Sequence, residues 1–274
     1  MLSRLAACTV SASLIMPALS LPGWAGPAEE LLDALKVDEI VEIMRAEGRD
    51  YGSDMAQDLL PSGATAGWEE AVGRLYDADA MEEVVRAGFL ESFGDTDAGP
   101  LLEFFTSEAG QRVVELELTA RREMIDNDVE VAAREAWNAI AGTGDPREAQ
   151  LDRFVAANDL LETNVVGALN ASFQFYLGLV DGGGMEMTEP EIVEEVWMQE
   201  ETTRYDTEEW LYAYMLTAYG PLPGEELDAY IDVSATPEGK AMNRALFDGF
   251  NHMYEEISYG LGLAAAREMR SEEL

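Results

Sequence analysis

Cysteine is nearly absent from this chain, with one residue, Cys8, in 274. It lies inside a leader-like N-terminus, so the remainder offers no disulfide, no thiol nucleophile and no thiolate metal site. Histidine is as scarce. A single imidazole, His252, cannot build the paired Glu-x-x-His sites of di-iron bundles or the H-E-x-x-H of zinc hydrolases. A Ser-His-acid triad would have to use it, and no G-x-S-x-G elbow is present. Lysine is limited to Lys36 and Lys240. Lys and Arg together number 17 against 55 Asp and Glu, a formal charge of −38. Such a chain repels nucleic-acid phosphates and anionic lipid surfaces, so neither is expected as a partner. No phosphate loop is seen either: Gly182-Gly183-Gly184 breaks a helix and follows no strand.

What is present begins with an export signal. Met1 to about Ala25 has a positive start at Arg4, an apolar run from Leu5 to Met16, and small residues at Gly23-Trp24-Ala25 for cleavage. Ala18-Leu19-Ser20 is the alternative cleavage site. Pro17 and Pro22 interrupt the run, which is too short to serve as a membrane anchor. Leu5-Ala6-Ala7-Cys8 imitates a lipoprotein box, but too few residues precede the cysteine. The expected location is periplasmic or secreted, with no integral membrane segment in the mature chain. Without disulfides, the exported protein must be held by its core alone, and it is long enough to bury one.

Beyond the leader, almost every segment carries the 3.6-residue apolar period and none alternates as strands do. Val37, Ile40, Met44, Tyr51, Met55 and Leu59 form one stripe, with Gly48 where a larger residue would fit and Pro61-Ser62-Gly63 as its end. A second helix carries Trp68, Val72 and Leu75. A third carries Met81, Val84, Val85, Phe89 and Leu90 and closes at Phe93-Gly94. The central Ala141-Gly142-Thr143-Gly144-Asp145-Pro146 is the best boundary between halves. Asp145 caps a helix that is expected to run unbroken through Phe154, Leu160 and Tyr176 to Gly182. Thr188-Glu189-Pro190 starts the helix of Val193, Val196 and Trp197, and Thr207 that of Trp210 and Tyr214. The last carries Met242, Leu246, Phe250, Met253, Ile257 and Leu261.

One short element occurs twice. Phe93-Gly94 is followed at Leu101 by a short helix ending in Phe104-Phe105, then Ser107-Glu108-Ala109-Gly110 opens a long helix. Tyr219-Gly220 is followed at Leu227 by Tyr230, then Thr236-Pro237-Glu238-Gly239 does the same. Ser107 and Thr236 are N-caps, Pro237 suits the first helical position, and Glu108 and Glu238 suit the first turn. A glycine three residues into a helix is a poor helix former. Its presence in both copies predicts a tight corner in which the preceding helix packs close. An anion site at the same helix ends conflicts with the carboxylates in those first turns. These residues (Phe104-Phe105, Ser107 to Gly110, Tyr230, and Thr236 to Ala241) resemble the bacterial domain-of-unknown-function family 2059. The resemblance implies export, an all-helical fold and no assigned activity, and it supplies no catalytic residue.

The expected fold is therefore all-α: about ten helices in two similar antiparallel units, internally duplicated, spanning 26–142 and 143–274. Sequence assigns no catalytic, cofactor-binding or metal-ligating residue. His252 is expected to be partly exposed and paired with Glu256 one turn on. Glu91-Ser92-Phe93 resembles the catalytic Glu-Ser of helical peptidoglycan-cleaving transglycosylases, but no Gly-Leu-Met-Gln segment follows. Asp95-Thr96-Asp97-Ala98-Gly99 and Asp77-Ala78-Asp79 alternate oxygens, yet they miss the EF-hand register, and Asp77 suits a helix cap. Trp68, Trp197, Trp210, Met198 and Met215 are expected in the core, with a groove between the halves as the alternative. The reading that fits best is a non-enzymatic protein of interaction or envelope maintenance, its partner a protein or envelope component. Glycan cleavage through Glu91 is the alternative and cation binding by the acidic loops the second. Partner identity and oligomeric state stay open at this stage.

Overall fold

The structure, a computed structural model, describes residues 26–60 and 63–272. The expected signal peptide, Cys8 within it, and the helix-ending Pro61-Ser62 lie outside the described residues. Among the described residues there are thirteen α-helices and no strand. In the first half these are α1 (Pro27–Ala34), α2 (Val37–Leu59), α3 (Ala66–Leu75), α4 (Ala78–Phe93), α5 (Gly99–Phe105), α6 (Glu108–Glu123) and α7 (Asn127–Ile140). In the second they are α8 (Pro146–Asn158), α9 (Leu160–Asp181), α10 (Glu189–Met198), α11 (Glu200–Tyr219), α12 (Gly224–Ser234) and α13 (Pro237–Glu272).

The all-α expectation holds, but the helix count was low because several breaks carry no glycine or proline. Asp159 takes a left-handed backbone (φ 53°) and divides the expected Asp145-to-Gly182 helix into α8 and α9. Aspartate tolerates that region better than most residues, so the break is physically cheap though not obvious in the sequence. Lys36 does the same (φ 54°) between α1 and α2. Asp126 caps α7 by accepting from the Asp128 amide, 2.9 Å. The helix of Trp210 begins at Glu200 rather than Thr207. At the central boundary, Gly142 and Gly144 both take positive φ (72° and 80°), and Asp145 caps α8 by accepting from the Arg147 amide.

The long helix α13 organises the molecule. It packs along α9 on one side and α4 on another, and farther along it reaches α3. At both main crossings a glycine on one helix faces a glycine on the other. A Cβ on Gly88 would lie 2.8 Å from the Gly249 Cα, and one on Gly249 would lie 2.6 Å from the Val85 carbonyl oxygen. A Cβ on Gly178 would overlap the Tyr259 carbonyl oxygen, and one on Gly262 would overlap that of Phe175. The backbones therefore touch, which ordinary side chains would prevent at the usual 8–10 Å helix spacing. Farther along, Thr65 at the start of α3 donates to Glu268 on α13 (2.7 Å). Around this axis, α11 packs on α6, α7 and α9, α12 on α8, and α1 on α4 and α5. The buried residues of 26–142 and 143–274 join in one hydrophobic cluster, so the halves share a core.

The two predicted corners are built alike. Ser107 Oγ accepts from the Gly110 amide (3.1 Å) and donates to the Phe104 carbonyl (2.6 Å). Thr236 Oγ1 accepts from the Gly239 amide (3.0 Å) and donates to the Val233 carbonyl (2.7 Å). A Cβ at Gly110 would lie 2.7 Å from the Phe105 Cα, and one at Gly239 would lie 2.7 Å from the Ser234 carbonyl oxygen. The glycines are thus required by the preceding helix, as the spacing suggested. Their flanking anchors are buried in parallel: Phe93 and Tyr219, Leu101 and Leu227.

Two glycine substitutions separate close approach from propensity. Gly262→Ala gains about 1 kcal/mol of helix propensity but overpacks α9 by about 3 kcal/mol, a net loss of about 2 kcal/mol. Gly73→Ala, whose Cβ would meet nothing within 4 Å, is expected to gain about 0.5–1 kcal/mol. Urea midpoints should move in opposite directions. Equal shifts would mean that the α9–α13 contact relaxes without cost.

Candidate functional site

An opening lies where three helices fail to close. Its floor is α13, and its walls are α2 from the first half and α9 from the second. The cleft holds about 460 Å³, within the range of small-molecule sites. On α2, Met44, Glu47, Gly48, Tyr51 and Met55 recur at helical spacing and face it. The α9 wall is cut back by Ala168, Ala171 and Ser172, and small residues one turn apart leave room that leucines would fill. Tyr254, Ser258 and Leu261 come up from α13, and Gln199 closes one end by donating to the Tyr176 hydroxyl (3.3 Å).

Gly48 has a clear purpose in this wall. The Tyr76 ring, at the end of α3, lies so close that a Cβ at Gly48 would overlap it. The missing side chain on the stripe is therefore the seat of a tyrosine from the next helix. Burial pushes the Tyr76 and Tyr254 phenols up from their ordinary value, so both hydroxyls stay neutral at physiological pH. Tyr51, 56% exposed, stands at the rim.

Glu47 is the one acidic side chain in the lining, and it is paired within the protein. Arg121 on α6 grips it through both carboxylate oxygens, Nε to Oε1 at 2.9 Å and Nη2 to Oε2 at 2.8 Å. This two-pronged geometry is the strong form of such a pair. The guanidinium also lies 5.9 Å from the centre of the Trp210 ring, which stacks on Tyr214 (5.3 Å, 4° between planes). On a chain of charge −38, the cleft is an island of near-neutral aromatic surface.

A second buried polar centre lies outside the cleft. Glu117, one turn before Arg121 on α6, accepts from the Tyr219 hydroxyl (2.6 Å) and the Tyr230 hydroxyl (3.1 Å) through Oε1. The Tyr214 hydroxyl donates to its main-chain carbonyl (3.3 Å). Phe154 meets both Tyr219 and Tyr230, and Phe104 stacks on Tyr230 at 5.8 Å. Burial pushes the Glu117 carboxyl up to about 7, although the two tyrosine hydrogen bonds pull the other way. The cluster ties α6 to α11 and α12 across the halves. Sequence inspection passed over it, although Glu117 sits one turn from Val113 and Val114 on their buried stripe, where an acid is out of place.

The residues singled out from sequence fall elsewhere. His252 is 60% exposed at its side chain and pairs with Glu256 at 3.3 Å, as expected. Glu91 points from α4 into solvent, and neighbouring Ser92 donates to Asp248. A glutamate general acid draws on apolar enclosure to hold its proton, and the exposed Glu91 has none. Asp77 caps α4 by accepting from the Ala80 amide (3.1 Å), and Asp97 accepts from the Gly99 amide (2.9 Å). Among the described residues no group of three or more His, Cys, Asp or Glu is placed to hold a metal ion. Of the five Trp and Met residues expected in the core, Trp68 and Met215 are buried and Trp210 packs against the core, but Trp197 and Met198 are exposed. A groove between the halves does exist, lined by none of the five.

The Glu117 centre makes stability pH-dependent in a defined direction. An unfolded glutamate loses its proton near 4.5, whereas in the folded protein this one keeps it to about 7. Between those values the folded state binds the extra proton, so this contribution to stability falls as pH rises and is flat above the window. Glu117→Gln keeps an acceptor for both tyrosines and cannot ionise. Its stability relative to wild type should rise by about 2 kcal/mol from pH 5 to pH 8 in urea titrations. An unchanged difference would mean that the charge is equally solvated in both states.

Residues 79–137, from α4 into α7, match the family model DUF2059, described as an uncharacterized protein conserved in bacteria. The match covers the first corner together with Glu117 and Arg121, while Tyr230 and Thr236 to Ala241, which share the resemblance, lie beyond it. No curated protein and no solved structure matches the chain. Among the described residues no helix is long and apolar enough to cross a membrane.

Proposed function

We propose that this is an exported, non-enzymatic binding protein of the bacterial envelope, and that the α2–α9 cleft receives an uncharged aromatic or apolar group of its partner. The observation that carries this is the character of the cleft. It is an opening of about 460 Å³ with aromatic walls and a cut-back helix, and its single acid is already neutralised by Arg121. A cationic ligand would find no free carboxylate there, and an anion would meet Glu47. An apolar group would gain roughly 25 cal/mol for each Å² of its surface removed from water. The leader-like residues 1–25 support export. The matching hydrogen bonds of the two corners support descent of the halves 26–142 and 143–274 from one duplicated unit.

The test uses Nile red, an uncharged aromatic probe whose emission rises in apolar surroundings. Wild type is expected to bind it, and the double variant Ala168→Leu, Ala171→Leu, which fills the cleft from α9, is expected to lose at least tenfold in affinity. Unchanged helical circular dichroism would show that the fold survives. Equal binding by both proteins would remove the cleft as the site.

A further inference from the structure

The outward face of α10 gathers three exposed large apolar side chains, where α9 and α11 show one each, Val166 and Tyr205. Its inner residues, Ile192 and Val196, are buried against α9, as an amphipathic helix requires. Its outer face, where charge is expected, instead carries Val193 (53% exposed), Trp197 (70%) and Met198 (66%). Val193 and Trp197 lie one turn apart on one stripe, with Pro190 before them. Exposing a tryptophan and a methionine side by side forfeits burial that the core would reward.

The surroundings are as distinctive as the patch. From residue 186 to 201 the sequence holds seven glutamates and no basic residue. Glu186, Glu189, Glu191, Glu194 and Glu201 are exposed around the apolar stripe. The next basic residue in the chain, Arg204, is engaged by Glu162 and Glu200 and leaves the rim unneutralised. Charge then decides between occupants. A second copy of this chain brings its own large negative charge to the contact. An anionic bilayer repels the same glutamates. A partner bearing lysine or arginine beside an apolar side chain satisfies both features at once. Its apolar group covers Val193 and Met198, and its cation lies on the Trp197 ring or between the glutamates.

We propose that the outer face of α10 is a docking surface for a cationic amphipathic segment of a partner protein, with Trp197 as its anchor. This surface is separate from the α2–α9 cleft and stands or falls independently of it.

The probe is a fluorescein-labelled helical peptide of lysine and leucine, compared by anisotropy at physiological salt with a lysine and serine peptide of equal charge. The amphipathic peptide is expected to bind the full chain at least tenfold more tightly than the serine peptide. Trp197→Ala should remove most of that advantage. Glu194→Gln with Glu201→Gln should weaken binding and flatten its salt dependence. The cleft-filling variant Ala168→Leu, Ala171→Leu should bind as wild type does, which separates this surface from the cleft. All three variants can be checked for an unchanged helical spectrum. The proposal is overturned if the two peptides bind alike or if Trp197→Ala changes nothing, since either result means diffuse attraction to a polyanion. It is also overturned if the patch binds uncharged zwitterionic vesicles in preference to the peptide, which makes it a membrane contact. A dimer abolished by Trp197→Ala would overturn it in favour of a second copy.

Discussion

The structure depends on how closely α13 can approach its two neighbours. Gly88 against Gly249 and Gly178 against Gly262 bring helix backbones into contact, so α4 and α9 are held at fixed distances from one axis. Everything else is hung from that arrangement. The corner at Thr236–Gly239 aims the start of α13, and the hydrogen bond from Thr65 to Glu268 fixes a point near its other end. With α4 and α9 drawn in on α13, α2 stands off from α9, with the Tyr76 ring seated on it at Gly48. The cleft follows from the tight contacts around it.

Polar groups then specify how the halves meet. A core of leucine and valine tolerates sliding, whereas a bidentate Glu47–Arg121 pair and a carboxylate shared by Tyr219 and Tyr230 each demand one register. Both centres depend on α6, one turn apart at Glu117 and Arg121. One faces the cleft through Glu47, and the other is enclosed by aromatic rings. Breaking either would strand a half-buried charge or a buried hydroxyl, which costs more than the intact interaction contributes.

Much of the fold was legible in the sequence because it rests on local physics. The stripes of α2 and α4, the caps at Ser107, Asp145 and Thr236, and the corner glycines all declare themselves within a few residues. The break at Asp159 was not legible, since aspartate is not a reliable helix breaker. The cleft was hidden for a different reason. Its walls come from segments more than a hundred positions apart, and small residues such as Ala168 and Ala171 look like ordinary helix formers. The apolar residues of α10 misled most, because periodicity marks a face as apolar without saying whether anything covers it. Only Glu117 gave a usable signal, an acid on a buried stripe.

The position of α13 in chain order has a consequence for how the molecule comes into being. Its contact with α4 joins residues on the order of 160 positions apart, and closing so large a loop is entropically slow. Until α13 is available, α4 packs on α1 and α2, and its Val85, Gly88 and Phe89 lack the Gly249 contact. A nascent chain therefore carries that ridge without its α13 partner through most of its synthesis. The two halves cannot mature in sequence, one before the other, because a single late helix completes both.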